Sequence, residues 1–307
     1  MSVDAAIQEE ASGWSVPFKE WIAFRGYASG AWLAQHLSER TGRWVFRRAA
    51  GLAHDLLPEV RCTVASNQSL VLGEPPSSPL VRIATREAFD LYARYWLDTF
   101  RLPVMGEDAF RERFVFEHIE RIDEALDAGH GVIAALPHMG NWDAAGHGIA
   151  IRGDRIAAVA EELRPPELLE LFVEHRRKLG MRIVPLVHGT GVTRQLTELL
   201  ADNWVVALVA DRALGGRGVK VEMFGSTRTL PSGPAMLSLS TGAPLLVCPV
   251  STTEDGWRCR IGAALEVERT TSLRADVTAL TRLMAAEFER AISARSVDWH
   301  MFQPFDR

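Results

Sequence analysis

Short, unbroken apolar runs recur through the last two thirds of the chain and constrain its fold more than any other feature. They are "GVIAALP" ending at Pro137, "RIAAVA" (155–160), "MRIVPLV" (181–187), "WVVALVA" (204–210) and "APLLVCPVS" (243–251). None alternates apolar with polar residues, so each reads as a strand covered on both faces. Segments of helical period lie between them, at 141–152, 165–179, 190–202 and 232–241. Strands alternating with helices predict an α/β protein with a mostly parallel or mixed central sheet flanked by helices. "WRCRIGAALEVE" (257–268) is expected to add antiparallel edge strands, and 272–296 a closing helix.

Upstream, the pattern is helical. Residues 1–12 are polar and expected to fray. Phe18, Trp21, Ile22, Arg25 and Ala28 then recur at helical spacing, and the next segment is expected to break at Gly42. Residues 80–103 predict a long helix closed by Pro103, and 107–128 another ending at Gly129. No linker is long or polar enough to separate two units. The expectation is one domain, 1–307, with a helical region over 1–105 and an α/β body over 106–307.

With 34 Lys and Arg against 39 Asp and Glu, the net charge of −5 argues against nucleic acid as a partner, because a phosphate backbone demands a basic surface. Three cysteines, Cys62, Cys248 and Cys259, have neither disulfide-framework nor zinc spacing. No histidine pair at i, i+4 has a third ligand, so no metal and no cofactor are expected. No apolar stretch approaches the roughly 18–20 residues of a membrane span, and no signal peptide is legible.

The chemistry concentrates in "HMGNWD", residues 138–143, directly after a strand and Pro137. Sites in open α/β sheets collect at the carboxyl ends of strands. Gly140 permits a tight turn, Asn141 suits a helix N-cap, and Asp143 falls in the first helical turn, from which its carboxylate can reach back to His138. A carboxylate on one ring nitrogen fixes the tautomer and leaves the other nitrogen to accept a proton. Backbone N–H groups over Gly140–Asp143 are candidate oxyanion donors. The same residues also fit a plain turn histidine followed by a helix-favouring aspartate.

"HMGNWD" resembles the H-x4-D/E signature of the glycerolipid acyltransferase superfamily, in its lipid A acyltransferase branch. Residues 160–186, 210–250 and "DWHMFQP" (298–304) are similar to that branch too. "YARYWLDTFRLP" (92–103) resembles the actinobacterial phosphatidylinositol mannoside acyltransferases in particular. The resemblance implies transfer of a fatty acyl chain from acyl-CoA, a co-substrate, to a mannose hydroxyl of a membrane glycolipid. The enzyme would work on the cytoplasmic face of the plasma membrane. His138 would be the base, with Asp143 completing the signature. Asp211 matches a second acidic position that pairs with the histidine. Glu161, Arg176, Asn141 and Arg212 would line the substrate site, with Arg176 free to fork an acceptor phosphate.

Trp14, Phe18, Trp21, Phe24, Trp32, Trp44 and Phe46, interleaved with arginines, suit an anionic membrane surface. No obligate protein partner is evident. Acceptors of another glycolipid class (the Kdo2-lipid A type), acyl-CoA thioesterase activity and a lipid-binding protein are the alternatives.

Overall fold

The computed structural model describes residues 18–161, 165–186, 191–213 and 218–305. Four helices come first: α1 (Phe18–His36), α2 (Glu39–Leu56), α3 (Pro58–Leu72) and α4 (Pro79–Arg101). Ser38 and Ser78 cap α2 and α4, each hydroxyl accepting a backbone N–H of the first turn at 3.2 Å. The break expected at Gly42 is absent. The α2 helix runs through it, and the missing side chain lets Leu97 of α4 close on its backbone, where a Cβ would lie 3.0 Å from a Leu97 methyl. Of the aromatics expected to face a membrane, Trp21, Trp32 and Trp44 are exposed. Phe24 and Phe46 instead pack inward, in the cluster around Leu97, Phe100 and Phe172. Trp14 and the Phe18 side chain lie outside the described residues.

The body continues through α5 (Glu107–Arg113), β1 (Phe114–Glu117), α6 (Glu120–Asp127), β2 (Val132–Leu136), α7 (Trp142–Ile151), β3 (Ile156–Glu161), α8 (Pro166–Lys178), β4 (Arg182–Leu186), α9 (Val192–Ala201) and β5 (Val205–Val209). It ends with β6 (Val219–Met223), β7 (Ser226–Leu230), α10 (Gly233–Thr241), β8 (Leu245–Val247), β9 (Val250–Thr252), β10 (Trp257–Arg260) and α11 (Leu273–Ala294). The central sheet has five strands in the order β4-β3-β5-β2-β8, and every pairing in it is parallel. All five residues of β2 are buried, which accounts for the unbroken apolar run. Ile133 and Ala135 belong to the core that includes α9, α10 and α11 residues; Val132, Ala134 and Leu136 belong to the core that includes Ala144 and Ile149 of α7.

Three local expectations are corrected. The helix expected over 107–128 is split by β1, whose Phe114 and Phe116 pair parallel to Trp257 and Cys259 of β10, and His118 turns the chain with φ +63°. The strand expected over 243–251 divides at Cys248 and Pro249: β8 joins β2, whereas β9 pairs with β10 in a separate three-stranded sheet. Proline has no N–H for a central ladder, so the chain changes sheets there. In 257–268 only β10 is a strand, and Ala264 makes a single bridge to Leu246. The β6–β7 hairpin had no strand assigned in the sequence reading.

Candidate active site

Parallel register brings the site together. Leu136 of β2 lies opposite Val209 of β5, so residues two positions beyond each strand end emerge side by side. Those residues are His138 and Asp211, 73 apart in sequence. His138 Nδ1 lies 2.5 Å from Asp211 Oδ1, and the His138 backbone N–H donates to Oδ2 at 3.0 Å. Trp299 Nε1–H donates to the same Oδ2 at 2.8 Å. The carboxylate is completely buried. Burial alone would raise its pKa. Electrostatic attraction to the His138 ring, its hydrogen bonds and that of Trp299 outweigh burial and hold it below the ordinary aspartate value. An ionised carboxylate can only accept, so Nδ1 carries the proton and Nε2 is left as the ring's acceptor.

Asp143 does not support His138, contrary to the spacing argument. It is buried in the first turn of α7, where Oδ1 accepts Arg176 Nε at 2.6 Å and Oδ2 accepts the Tyr95 hydroxyl at 2.9 Å. Arg176 therefore makes an internal ion pair through Nε, and the Asp143–Arg176–Tyr95 contact ties α7, α8 and α4 together. Asn141 is likewise structural: it is buried and caps α7, its Oδ1 accepting the Ala144 N–H at 2.9 Å and the Thr99 hydroxyl at 3.3 Å. Glu161 and Arg212 meet at 2.7 Å, and Arg212 also donates to Gln303.

Burial pushes the Asp143 carboxyl up, but Arg176, His175 and Tyr95 reverse this and leave it below the ordinary value. A depressed folded-state pKa gives stability that is fully present above the unfolded value, near ~3.9, and lost as pH falls through the folded one. Asp143→Ala is therefore expected to cost about 3–5 kcal/mol near neutral pH by orphaning a buried guanidinium. In urea titrations across pH, the gap to wild type should close on acidification; a pH-independent gap would remove the ion pair as its cause.

In the sequence, "DWHMFQP" is marked only by its resemblance to the family. In the fold, that segment clamps the His138 loop. Gly140 N–H donates to the Asp298 carbonyl at 2.9 Å, and His300 N–H to the His138 carbonyl at 2.7 Å. The His300 ring adds a contact between Nε2 and the Gly140 carbonyl at 3.1 Å; burial pushes its pKa down to about 3, so the ring is neutral and Nε2–H donates. Gly140 has φ +59°, and a Cβ there would strike the Val250 carbonyl, so the turn requires glycine. The Gly140 N–H is consequently unavailable to an oxyanion.

His138 lines a cavity of about 550 Å³, together with Trp142, Glu161, Arg176 and Arg212. Its remaining wall is mainly apolar, including Leu168, Phe172, Leu196, Leu208 and Leu237. A narrower cavity of about 60 Å³ lies along the α7 side of the sheet, past small residues Ala134, Ala158 and Ala207, and shares Trp142 and Arg176 with the first. Among the described residues, no group of three His, Cys, Asp or Glu side chains is placed to hold a metal ion. No described helix is long and apolar enough to cross a membrane.

The part-buried His138 and the buried Asp211 thus stand at the carboxyl edge of a parallel sheet, beside a largely apolar cavity. The chain belongs to the bacterial lipid A biosynthesis acyltransferase family, whose model matches residues 15–305, and is an acyltransferase by that membership. It is similar to the phosphatidylinositol mannoside acyltransferase of Mycolicibacterium smegmatis (strain ATCC 700084 / mc(2)155), at 36% identity over 291 residues, covering 94% of this chain and 93% of that protein. The protein of the same name from Mycobacterium tuberculosis (strain ATCC 25618 / H37Rv) is 38% identical over 244 residues, covering 78% and 74%.

Proposed function

We propose that this chain moves a fatty acyl group, palmitoyl in the first instance, from acyl-CoA to a mannose hydroxyl of a phosphatidylinositol mannoside. The observation that carries the reading is the 2.5 Å His138–Asp211 contact beside a cavity whose size suits a small-molecule site. The acceptor follows the name shared by the two mycobacterial relatives. His138 Nε2 takes the hydroxyl proton as the oxygen attacks the thioester carbonyl. Asp211 holds the imidazolium that forms. The first-turn N–H groups of Trp142 and Asp143 are the donors for the oxyanion. The C–S bond then breaks and coenzyme A leaves as thiolate, which takes up the proton from His138. The acyl chain lies against Leu168, Phe172 and Leu237, and the Glu161–Arg212 pair faces the polar part of a substrate. The chemistry needs neither metal nor cofactor. The enzyme works as a peripheral protein on the cytoplasmic face of an anionic membrane, where such an acceptor is anchored.

The test is incubation of purified protein with radiolabelled palmitoyl-CoA and separate acceptors: mannosylated phosphatidylinositol, unmannosylated phosphatidylinositol, a Kdo2-lipid A precursor and none. Label is expected on the mannosides alone. Label on the lipid A precursor instead would overturn the acceptor, and free fatty acid in every tube would make the protein a thioesterase.

A further inference from the structure

The exposed apolar side chains are unevenly distributed. Of fourteen large ones exposed among the described residues, eight lie between Trp21 and Ile83, on α1, α2, the α2–α3 junction and the start of α4. On α2 they form an outward stripe at four-residue steps: Trp44, Arg48, Leu52 and Leu56. The buried residues of this helix are Gly42, Ala50 and Gly51. Beside the stripe a groove of about 590 Å³ is lined by Trp44, Arg47, Arg48, Leu52 and Arg86, and by one carboxylate, Asp55. Arg86 reaches in from α4 across Gly51, where a Cβ would lie 2.7 Å from its Nη2. Arg48 sits over the Trp44 ring, 5.6 Å from its centroid. The carboxylates nearby hold these cations loosely: Asp90 is 3.6 Å from Arg47, and Asp55 is 3.7 Å from Arg86. In a chain of net charge −5, α2 carries Arg40, Arg43, Arg47 and Arg48 against Glu39 and Asp55.

We propose that this α2–α4 face is the seat of the protein on an anionic phospholipid bilayer. The inference rests on the reading above, in which the acceptor is a lipid anchored in a membrane. Guanidiniums fork phosphate oxygens, so Arg47, Arg48 and Arg86 engage headgroups. Trp44 takes the interfacial depth, while Leu52, Leu56 and Ile83 enter the acyl boundary. With no described helix able to span a membrane, attachment by this face is lateral.

The test is sedimentation of the full-length protein with vesicles of phosphatidylcholine alone or of phosphatidylcholine with phosphatidylinositol. Binding is expected to the mixed vesicles and to weaken with salt. The double variant Leu52→Glu, Ile83→Glu should lose it by at least roughly a hundredfold, and Arg48→Gln and Arg86→Gln by roughly fivefold each. Leu283→Glu, at an exposed leucine on α11 away from this face, should bind as wild type. Turnover of detergent-dispersed acceptor should be unchanged in all four variants. Variants that sediment like wild type, or wild type that binds neutral vesicles equally well, would overturn the proposal. So would light scattering that shows a wild-type dimer split by the double variant, which would make the face a contact between copies. Loss of vesicle binding in the variants supports the face whether or not wild type turns over; absent turnover in detergent counts against acyl transfer alone.

Discussion

Replacing His138 with alanine is expected to lower kcat by at least about 10²–10⁴-fold, the usual worth of a positioned general base, and to leave the melting temperature within a few degrees of wild type. The fold tolerates the change because the loop is held by its backbone. The His138 N–H on Asp211, the His138 carbonyl on His300 and the Gly140 N–H on Asp298 all survive the loss of the ring. The effect falls on kcat and not on KM for acyl-CoA, because the ring stabilises only the transition state. Steady-state kinetics with labelled donor, beside a thermal melt, check both halves. A His138→Ala protein that keeps wild-type kcat would end the general-base mechanism.

Asp211→Asn is expected to lower kcat by about 10³–10⁴-fold, the scale seen when the buried aspartate of a Ser-His-Asp triad becomes asparagine. The Asp211 carboxylate faces three donors: the His138 ring, the His138 backbone and the Trp299 indole. An asparagine has one acceptor oxygen. If that oxygen keeps the Trp299 and backbone N–H groups, the amide NH2 faces Nδ1, which must then become an acceptor. The proton moves to Nε2, and the ring can no longer take one from a hydroxyl. Asp211→Ala adds a structural cost of about 1–3 kcal/mol, because the Trp299 N–H is left buried and unpaired. Nitrogen-15 spectra of the imidazole would show the tautomer directly. An Asp211→Asn protein with wild-type turnover and a proton still on Nδ1 would show that the carboxylate does not set the ring.

Much of the architecture was legible before any coordinates. Burial on both faces leaves a continuous apolar run, as in β2; β4 carries such a run too, but it lies at the sheet edge and only its Val184 is buried. The β1 strand was not legible, because four residues within a helical pattern hold no period of their own; they become a strand only through β10, 140 residues or more downstream. The β6–β7 hairpin is short and largely polar, so it carries no apolar run to mark it as strand. His138 was legible from its place after β2. Its partner was not legible from spacing, which favoured Asp143, five residues away, over Asp211, 73 away; only the family resemblance put Asp211 forward.

The sequence by itself determined which segments become parallel strands, where His138 stands and which family the chain resembles. These are local facts, carried by side-chain period and by the turn chemistry of Pro137 and Gly140. The tertiary structure alone decided which acid serves the histidine. Strand register set Asp211 beside His138, and the docking of α8 and α4 drew Asp143 to Arg176 and Tyr95. A buried carboxylate is held by whichever donors the packed fold brings within about 3 Å, and that proximity depends on how distant segments pair.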